Sequence, residues 1–108
     1  MDQDSEIAGK WYQQGDVTIK PVDRIPKDAS NTGTHVLAEG EATGHRHVAQ
    51  APDVQLFLYR GRHYMRAPSG TTIVHEEHSP IEIPSGEYEI GRVREYDHFR
   101  EEARQVID

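Results

Sequence analysis

The sequence contains no cysteine, has few aromatic residues and lacks any long apolar run. The absence of cysteine excludes disulfides, thiolate zinc fingers, iron–sulfur clusters and cysteine nucleophiles. No window approaches the roughly 18 consecutive apolar residues that a membrane-spanning helix needs. The N-terminal segment MDQDSEIAGKW is acidic and has no apolar core, so it does not resemble a signal peptide. We therefore expect a cytoplasmic protein that does not enter a membrane.

Positive charge is also scarce. There are 12 Lys and Arg residues against 19 Asp and Glu residues, which gives a formal net charge of −7. Such a chain has no long-range attraction for phosphate backbones or anionic lipid. The short basic run at Arg60, Arg62 and Arg66 is typical of a solvated hairpin face. We therefore predict no nucleic-acid partner and no membrane partner.

The chain's 108 residues suffice for one domain, and its apolar residues occur in short alternating runs. In Asp16–Pro21, Val17 and Ile19 alternate with polar residues, which is the signature of a half-buried strand. The segment Val54–Arg60 is apolar on both faces and predicts a central strand. Turn residues recur about every 8–12 residues. The pattern predicts an all-β fold, a small β-barrel or jelly-roll sandwich of about seven to eight short strands.

The domain boundaries follow from where this pattern begins and ends. We predict a flexible N-terminal arm at 1–14, the β-domain at 15–96 and a C-terminal tail at 97–108. The last strand is predicted at Glu87–Tyr96, with a β-bulge at Gly91 because the apolar alternation slips there.

The tail has two interpretations. Its apolar residues recur at helical spacing, which favours a short C-terminal helix. The alternative is a strand at Gln105–Ile107 that pairs with another subunit. Exposed strand edges in a small β-domain often assemble, so we expect a homo-oligomer.

Seven residues are histidines, and four of these form two tight pairs. The first pair is His45 and His47, at positions i and i+2. On a strand this spacing places both imidazoles on one face, roughly 6–7 Å apart along the chain. Two rings so placed can reach one ion at the zinc–nitrogen distance of about 2.0–2.1 Å. We therefore predict that His45 and His47 bind a metal ion.

The second pair lies in the segment HEEH. His75 continues the alternation of the predicted strand Thr71–His75 and is the third predicted ligand. In a regular strand, His78 would point to the opposite face, so it can join the site only if Glu76 and Glu77 form a turn or bulge. We predict His78 as the fourth ligand, with the two glutamates as competitors. The remaining histidines, His35, His63 and His98, are interpreted as surface residues.

This donor set suits Zn, Fe(II), Mn, Ni or Cu(II), so we expect a divalent transition metal, with zinc as the first choice. Three imidazoles and one open position would give a bound water with a pKa of about 7, which can act as a nucleophile. Glu76 and Glu77 are then the predicted catalytic residues, as a general base or as carboxylates that orient a ligand ring. Four imidazoles would instead close the site and make the metal structural.

Two motifs resemble those of a known family. The segment Gly40–His47 has the pattern GxxxxHxH, and Pro84–Gly86 has the pattern PxG. Both are similar to the motifs of the cupins, small β-barrels that often hold a metal through HxH and a later acidic ligand. The resemblance spans Gly40–Ile90 and implies a barrel with a metal at its mouth, held by His45 and His47.

The sequence departs from the cupin pattern in two places. The segment VAQA follows His47 where cupins have an acidic ligand, and Glu89 follows the PxG where they have histidine. The chain is also similar to a group of small uncharacterised bacterial and phage-associated proteins that share GHxH and HEEH motifs. That second resemblance implies no function.

These observations support two functions. The first is a metal-dependent hydrolase, or a lyase or hydratase resembling carbonic anhydrase, that acts on a small-molecule substrate. The second is a non-catalytic module whose metal stabilises the fold or a homo-oligomer interface. A third hypothesis is a metal or pH sensor whose clustered histidines change charge between about pH 5 and 7.

Overall fold

The computed structural model describes residues 10–93, which form ten short β-strands. No helix occurs in these residues, so none of them belongs to a helix that could cross a membrane. The strands are β1 (Tyr12–Gln14), β2 (Val17–Pro21), β3 (Ser30–Asn31), β4 (Val36–Glu39), β5 (Arg46–Ala49), β6 (Gln55–Tyr59), β7 (Arg62–Ala67), β8 (Thr71–Val74), β9 (Ile81–Ile83) and β10 (Gly86–Arg92).

The strands form two antiparallel sheets. One has six strands in the order β1-β2-β10-β7-β6-β3, and the other has four in the order β4-β5-β8-β9. The predicted all-β class is confirmed. The sheets do not close into a barrel, so of the two predicted architectures the barrel is wrong.

Both sheets contribute side chains to one core. Alternate residues of strands such as β2 and β8 point inward, as the sequence pattern of β2 predicts. The most deeply buried side chains are Val17, Ile19, Met65 and Ile73. Burying an aliphatic side chain of this kind stabilises the fold by about 1.5–3 kcal/mol relative to leaving it exposed. The core therefore fixes which residues of β5 and β8 face the opposite sheet.

The strand β6 is buried on both faces, as its continuous apolar run predicts. Leu56 packs in the main core. Phe57 points to the other side of the sheet, where Ile25 and Tyr64 bury it in a second small cluster.

The β-bulge predicted at Gly91 is wrong. Gly91 pairs with Thr18 in an unbroken register between β10 and β2. The apolar alternation ends there because the strand itself ends at Arg92. A side chain at position 91 would meet Thr18, since an added Cβ would lie 2.9 Å from the Thr18 hydroxyl oxygen.

The register does shift in β4, between Val36 and Ala38. This irregularity turns both Leu37 and Ala38 toward the core, where they pack at its edge. Val36 remains paired with Val48 of β5.

Two strands lie where the sequence pattern predicted none. β1 pairs with β2 and lies within the segment predicted as a flexible arm, and β3 pairs with β6 between the predicted strands Asp16–Pro21 and Val54–Arg60. Both are very short, so neither develops a period-two pattern that the sequence analysis can detect. The predicted C-terminal helix, its strand alternative and His98 all lie outside the described residues.

Candidate metal centre

Four histidine rings meet at one end of the two sheets. His47 lies on β5, His45 directly precedes β5, and His75 directly follows β8. The centroids of the His47 and His75 rings are 4.2 Å apart, and those of His45 and His75 are 5.6 Å apart. β5 and β8 are paired, and Ala49 opposite Ile73 faces the core. His45 and His47 lie an even number of residues from Ala49, and His75 lies two residues after Ile73. The three rings therefore point to the same face and meet at the strand ends.

His78 reaches the same place because the chain bends at residues 76–78, after β8. Its ring centroid lies 4.6 Å from that of His75 and 6.1 Å from that of His47. We call His45, His47, His75 and His78 the His cluster. The cluster unites the four histidines that the sequence analysis singled out. None of the ring contacts within residues 10–93 includes His35 or His63.

Within this region, His45, His75 and Glu76 form a group with chelating geometry. One ligand atom from each lies within 4.8 Å of the other two, and the group is partly exposed to solvent. His47 and His78 stand beside this group and are not members of it. This group thus contains Glu76, one of the competitors predicted for the fourth ligand position, and does not contain His78.

The Glu76 carboxylate is held in place from the neighbouring strand. Its Oε1 accepts a hydrogen bond of 2.9 Å from the backbone N–H of Arg46. This hydrogen bond is the largest of the effects that lower the pKa of Glu76, and His45 and His75 lower it further. A carboxylate that stays ionised suits a metal ligand, whereas a general base is most effective with a pKa near the working pH.

Glu77 makes two contacts with the rings. Its carboxylate Oε2 lies 3.6 Å from His45 Nδ1, and its backbone N–H donates a 3.0 Å hydrogen bond to His75 Nδ1. Because His75 Nδ1 accepts this bond, the neutral ring carries its proton on Nε2. A metal at Nδ1 would replace the hydrogen bond. A metal at Nε2 would move the proton to Nδ1 and abolish the acceptor, so either mode of binding breaks the bond.

His47 is the buried member of the cluster, with 4% of its surface exposed. Its Nδ1 lies 2.8 Å from Oε1 of Gln14. The Gln14 amide nitrogen already donates to two backbone carbonyls, those of Ile73 at 3.0 Å and Ser79 at 2.9 Å. Gln14 therefore offers His47 an oxygen, and the His47 Nδ1–H must donate to it. This leaves the lone pair on His47 Nε2, which is the arrangement of most metal-binding histidines.

The surroundings of His47 lower the pKa of its ring and so disfavour the protonated form. Burial is the main cause that lowers the pKa of His47, and His75 adds to it. Asp16 acts in the opposite direction, with its Oδ1 3.9 Å from His47 Nε2. The other carboxylate oxygen of Asp16 is occupied by Arg92, at 3.0 Å. An unprotonated imidazole is the form that can bind a metal.

A tight turn between β1 and β2 covers the buried side of the cluster. At its centre, Gly15 has a φ of +58°, a conformation that favours glycine. A Cβ at this position would lie 2.6 Å from His78 Nε2 and 3.4 Å from His47 Cε1. The turn thus needs glycine for its backbone and for the space taken by the two rings.

A sequence profile of a domain of unknown function, DUF8820, matches residues 13–93. This match spans most of the chain. The chain belongs to the DUF8820 family. Searches of curated proteins and of solved structures returned no match. The DUF8820 region begins in β1 and ends just after β10, so it includes the whole His cluster and the turn that covers it.

The sequence analysis of this DUF8820 domain missed Gln14, Gly15 and Asp16 as parts of the site. A signal was present, since Gly-Asp is one of the dipeptides that join two strands in a tight hairpin. It was hidden because β1 has only three residues, of which Gln14 alone is buried. A buried glutamine has no recognisable pattern in a sequence, because its partners here are two distant carbonyls and one ring.

Proposed function

We propose that this DUF8820 domain binds one divalent transition metal ion through His45, His75 and Glu76, with zinc as the first choice of metal. The observation that carries the proposal is the approach of their three ligand atoms to within 4.8 Å of one another. Two imidazoles and one carboxylate are a donor set that catalytic zinc sites use. His47 is the candidate fourth ligand, because Gln14 leaves its Nε2 lone pair available.

The exposure of the group favours an enzyme. A depression of about 250 Å³ lies beside it, lined by Arg46, Val48, Val74, His75 and Glu76. A zinc ion with an open position supplies Lewis-acid and hydrolytic chemistry to a small substrate. Of the two glutamates predicted to be catalytic, Glu77 suits the role of base or of a carboxylate that orients His45, because Glu76 is committed to the ligand group. We therefore propose a hydrolase or a hydratase.

The buried side of the cluster favours the second candidate, a metal that stabilises the fold. Gln14 of the six-stranded sheet contacts His47 of the four-stranded sheet, so an ion bound to His47 would fix the ring through which the two sheets are in contact. Chelation separates the two roles. Removal of a structural metal unfolds the domain or dissociates an oligomer, and removal of a catalytic metal leaves a folded but inactive domain.

The proposal is tested by measuring metal bound per chain. Protein purified without chelator is titrated with zinc, and bound zinc is measured by elemental mass spectrometry and calorimetry. We expect close to one equivalent, with affinity reduced about tenfold or more in His45→Ala because one ligand is lost. The matched control is His63→Ala, which removes an exposed histidine of β7 in the other sheet.

Equal losses of zinc affinity in the two variants would contradict the assignment, as would wild-type protein that binds no zinc at all. Comparable binding by wild type and His63→Ala, with loss only in His45→Ala, would support it.

Zinc binding will also change the amide of Glu77. Its N–H donates to His75 Nδ1 in the described structure, and that bond must break when His75 binds a metal. We expect the Glu77 amide resonance to shift on addition of one equivalent of zinc, together with the His75 ring-nitrogen signals in a long-range ¹H–¹⁵N spectrum. The amide of Gly33, which donates to Asn31 Oδ1 in an exposed loop, is the internal control. An unchanged Glu77 amide in zinc-saturated protein would exclude His75 as a ligand.

A further inference from the structure

The outer face of the four-stranded sheet carries a row of valines. Val36, Val48 and Val74 are paired across three neighbouring strands. Val48 and Val74 alternate with the buried Ala49 and Ile73, so they point away from the core. Outward positions of such a sheet are usually polar, because they face water. The row is thus a small apolar surface with no partner in the core cluster.

This apolar surface adjoins the proposed metal ligands. Val48 and Val74 line the depression of about 250 Å³ whose other walls are Arg46, His75 and Glu76. The depression is larger than the space of a single bound water molecule, which occupies about 30 Å³ in the liquid. It fits a small ligand, with one apolar side and one polar side.

Arg46 supplies the positive charge at the rim. It lies two residues before Val48 on β5 and therefore points to the same face. Its backbone N–H holds Glu76, which fixes the main chain at position 46 beside the ligand group. Within residues 10–93, its guanidinium is in none of the salt bridges. Its neighbour across β4 and β5 is the exposed Glu39.

Metal binding removes the negative charge that a ligand would meet. The imidazoles bind a metal in their neutral form, so the Glu76 carboxylate and the Glu77 carboxylate, which lies 3.6 Å from His45 Nδ1, give the site a net charge of −2 that repels an anion. A divalent ion brings this charge to zero, and Arg46 supplies a positive charge nearby. Arginine binds carboxylates through paired, charge-assisted hydrogen bonds.

We propose that the depression binds a small aliphatic carboxylate, and that this is the substrate class of the site. The carboxylate lies between the metal and Arg46, and the alkyl group packs on Val48 and Val74. The inference rests on the proposed metal site and deepens it. It also requires that anion binding depends on the metal, because the Glu76 and Glu77 carboxylates repel an anion when no metal is bound.

The test compares three probes on zinc-loaded protein by calorimetry and by amide chemical shifts. Isobutyrate is the full probe, acetate lacks most of the alkyl group, and isobutyramide lacks the charge. We expect isobutyrate to bind at least about threefold more tightly than acetate, because buried methyl groups add affinity. Isobutyramide should bind at least about tenfold more weakly than isobutyrate, because it loses the charge-assisted contacts.

Two arginine variants complete the test. Arg46→Ala keeps the backbone N–H that holds Glu76, so the variant should still bind zinc, while isobutyrate affinity of the zinc-loaded protein falls about tenfold. The matched control is Arg62→Ala on the outer face of the other sheet, where the guanidinium pairs with Glu89. It should alter neither affinity.

The outcomes separate this inference from the proposed metal site. Zinc binding with no isobutyrate binding, or with equal isobutyrate affinity in Arg46→Ala and wild type, would overturn the carboxylate site and leave the metal site standing. Isobutyrate binding that persists without zinc would also overturn it. Absence of zinc binding would instead overturn the proposed function on which it rests.

Discussion

Replacing Gln14 by leucine will destabilise the domain by about 2–4 kcal/mol, since two buried polar groups and one partly buried group lose their partner, at about 1–3 kcal/mol for each buried group. The groups are the carbonyls of Ile73 and Ser79 and the Nδ1–H of His47. Leucine is of similar size, so the loss is one of hydrogen bonds and not of packing. The measurement is urea denaturation of metal-free protein, followed by tyrosine fluorescence or circular dichroism.

Gln13→Leu is the matched control for this change. Gln13 is the neighbour of Gln14 on β1 and makes one exposed hydrogen bond, to the carbonyl of Gly15. Its replacement should cost less than about 1 kcal/mol, since surface substitutions usually have small effects. If the two leucine variants unfold at the same urea concentration, the Gln14 contacts do not hold the two sheets together.

The same variant tests the orientation of His47. If His47 is the fourth ligand, loss of the group that fixes its proton on Nδ1 should lower zinc affinity about 10- to 100-fold. Gln14→Glu separates the loss of stability from the loss of His47 orientation. It retains an acceptor for the His47 N–H but loses both donors to the carbonyls. It should therefore lower stability and preserve more of the zinc affinity than Gln14→Leu does.

Replacing Gly15 by alanine will destabilise the domain by about 1–2 kcal/mol, mainly through backbone strain at a positive φ. The new methyl group would lie 2.6 Å from His78 Nε2, so the exposed His78 ring must move away. We expect His78 to be displaced from the cluster, with changes in the ring signals of His47 and His75. Denaturation and the long-range ¹H–¹⁵N spectrum measure the two consequences.

Gly33→Ala isolates the steric part of this prediction. Gly33 has a φ of +75°, but an added Cβ there meets no atom within 4 Å. It therefore reports the strain alone, at about 1 kcal/mol. A Gly15→Ala variant no less stable than Gly33→Ala, with unchanged ring signals, would show that the turn does not pack on the His cluster.

Local patterns of the sequence were sufficient to predict the meeting of the histidines. The i, i+2 spacing of His45 and His47 and the parity of Ile73 with His75 each follow from the geometry of a single strand. Once the hydrophobic residues of β5 and β8 face one core, the side chains of these three histidines lie on the same side of the four-stranded sheet. Burial of alternate residues is what makes such a prediction reliable, because a slip of one residue would expose the whole apolar face.

The spacing of the residues along the chain did not predict which side chains of this region come close enough to bind one ion. Glu76 joins His45 and His75 because the backbone of Arg46, thirty positions away in the chain, anchors its carboxylate. His78 enters the cluster through a bend that no strand pattern describes, and its ring then rests against Gly15. Each of these placements depends on two segments that are adjacent only in the folded chain.

The sequence by itself determined the all-β class, the inward faces of the longer strands and the meeting of His45, His47 and His75, because all three follow from residue type and period-two alternation. Only the tertiary structure decided that the two sheets remain open, that Glu76 joins the chelating group, and that the turn at Gln14–Gly15 covers the buried side of the site. The physical reason is that hydrogen bonds between distant segments, such as those of Gln14, have no periodicity along the chain. They arise only after the apolar faces have packed and brought their partners within reach.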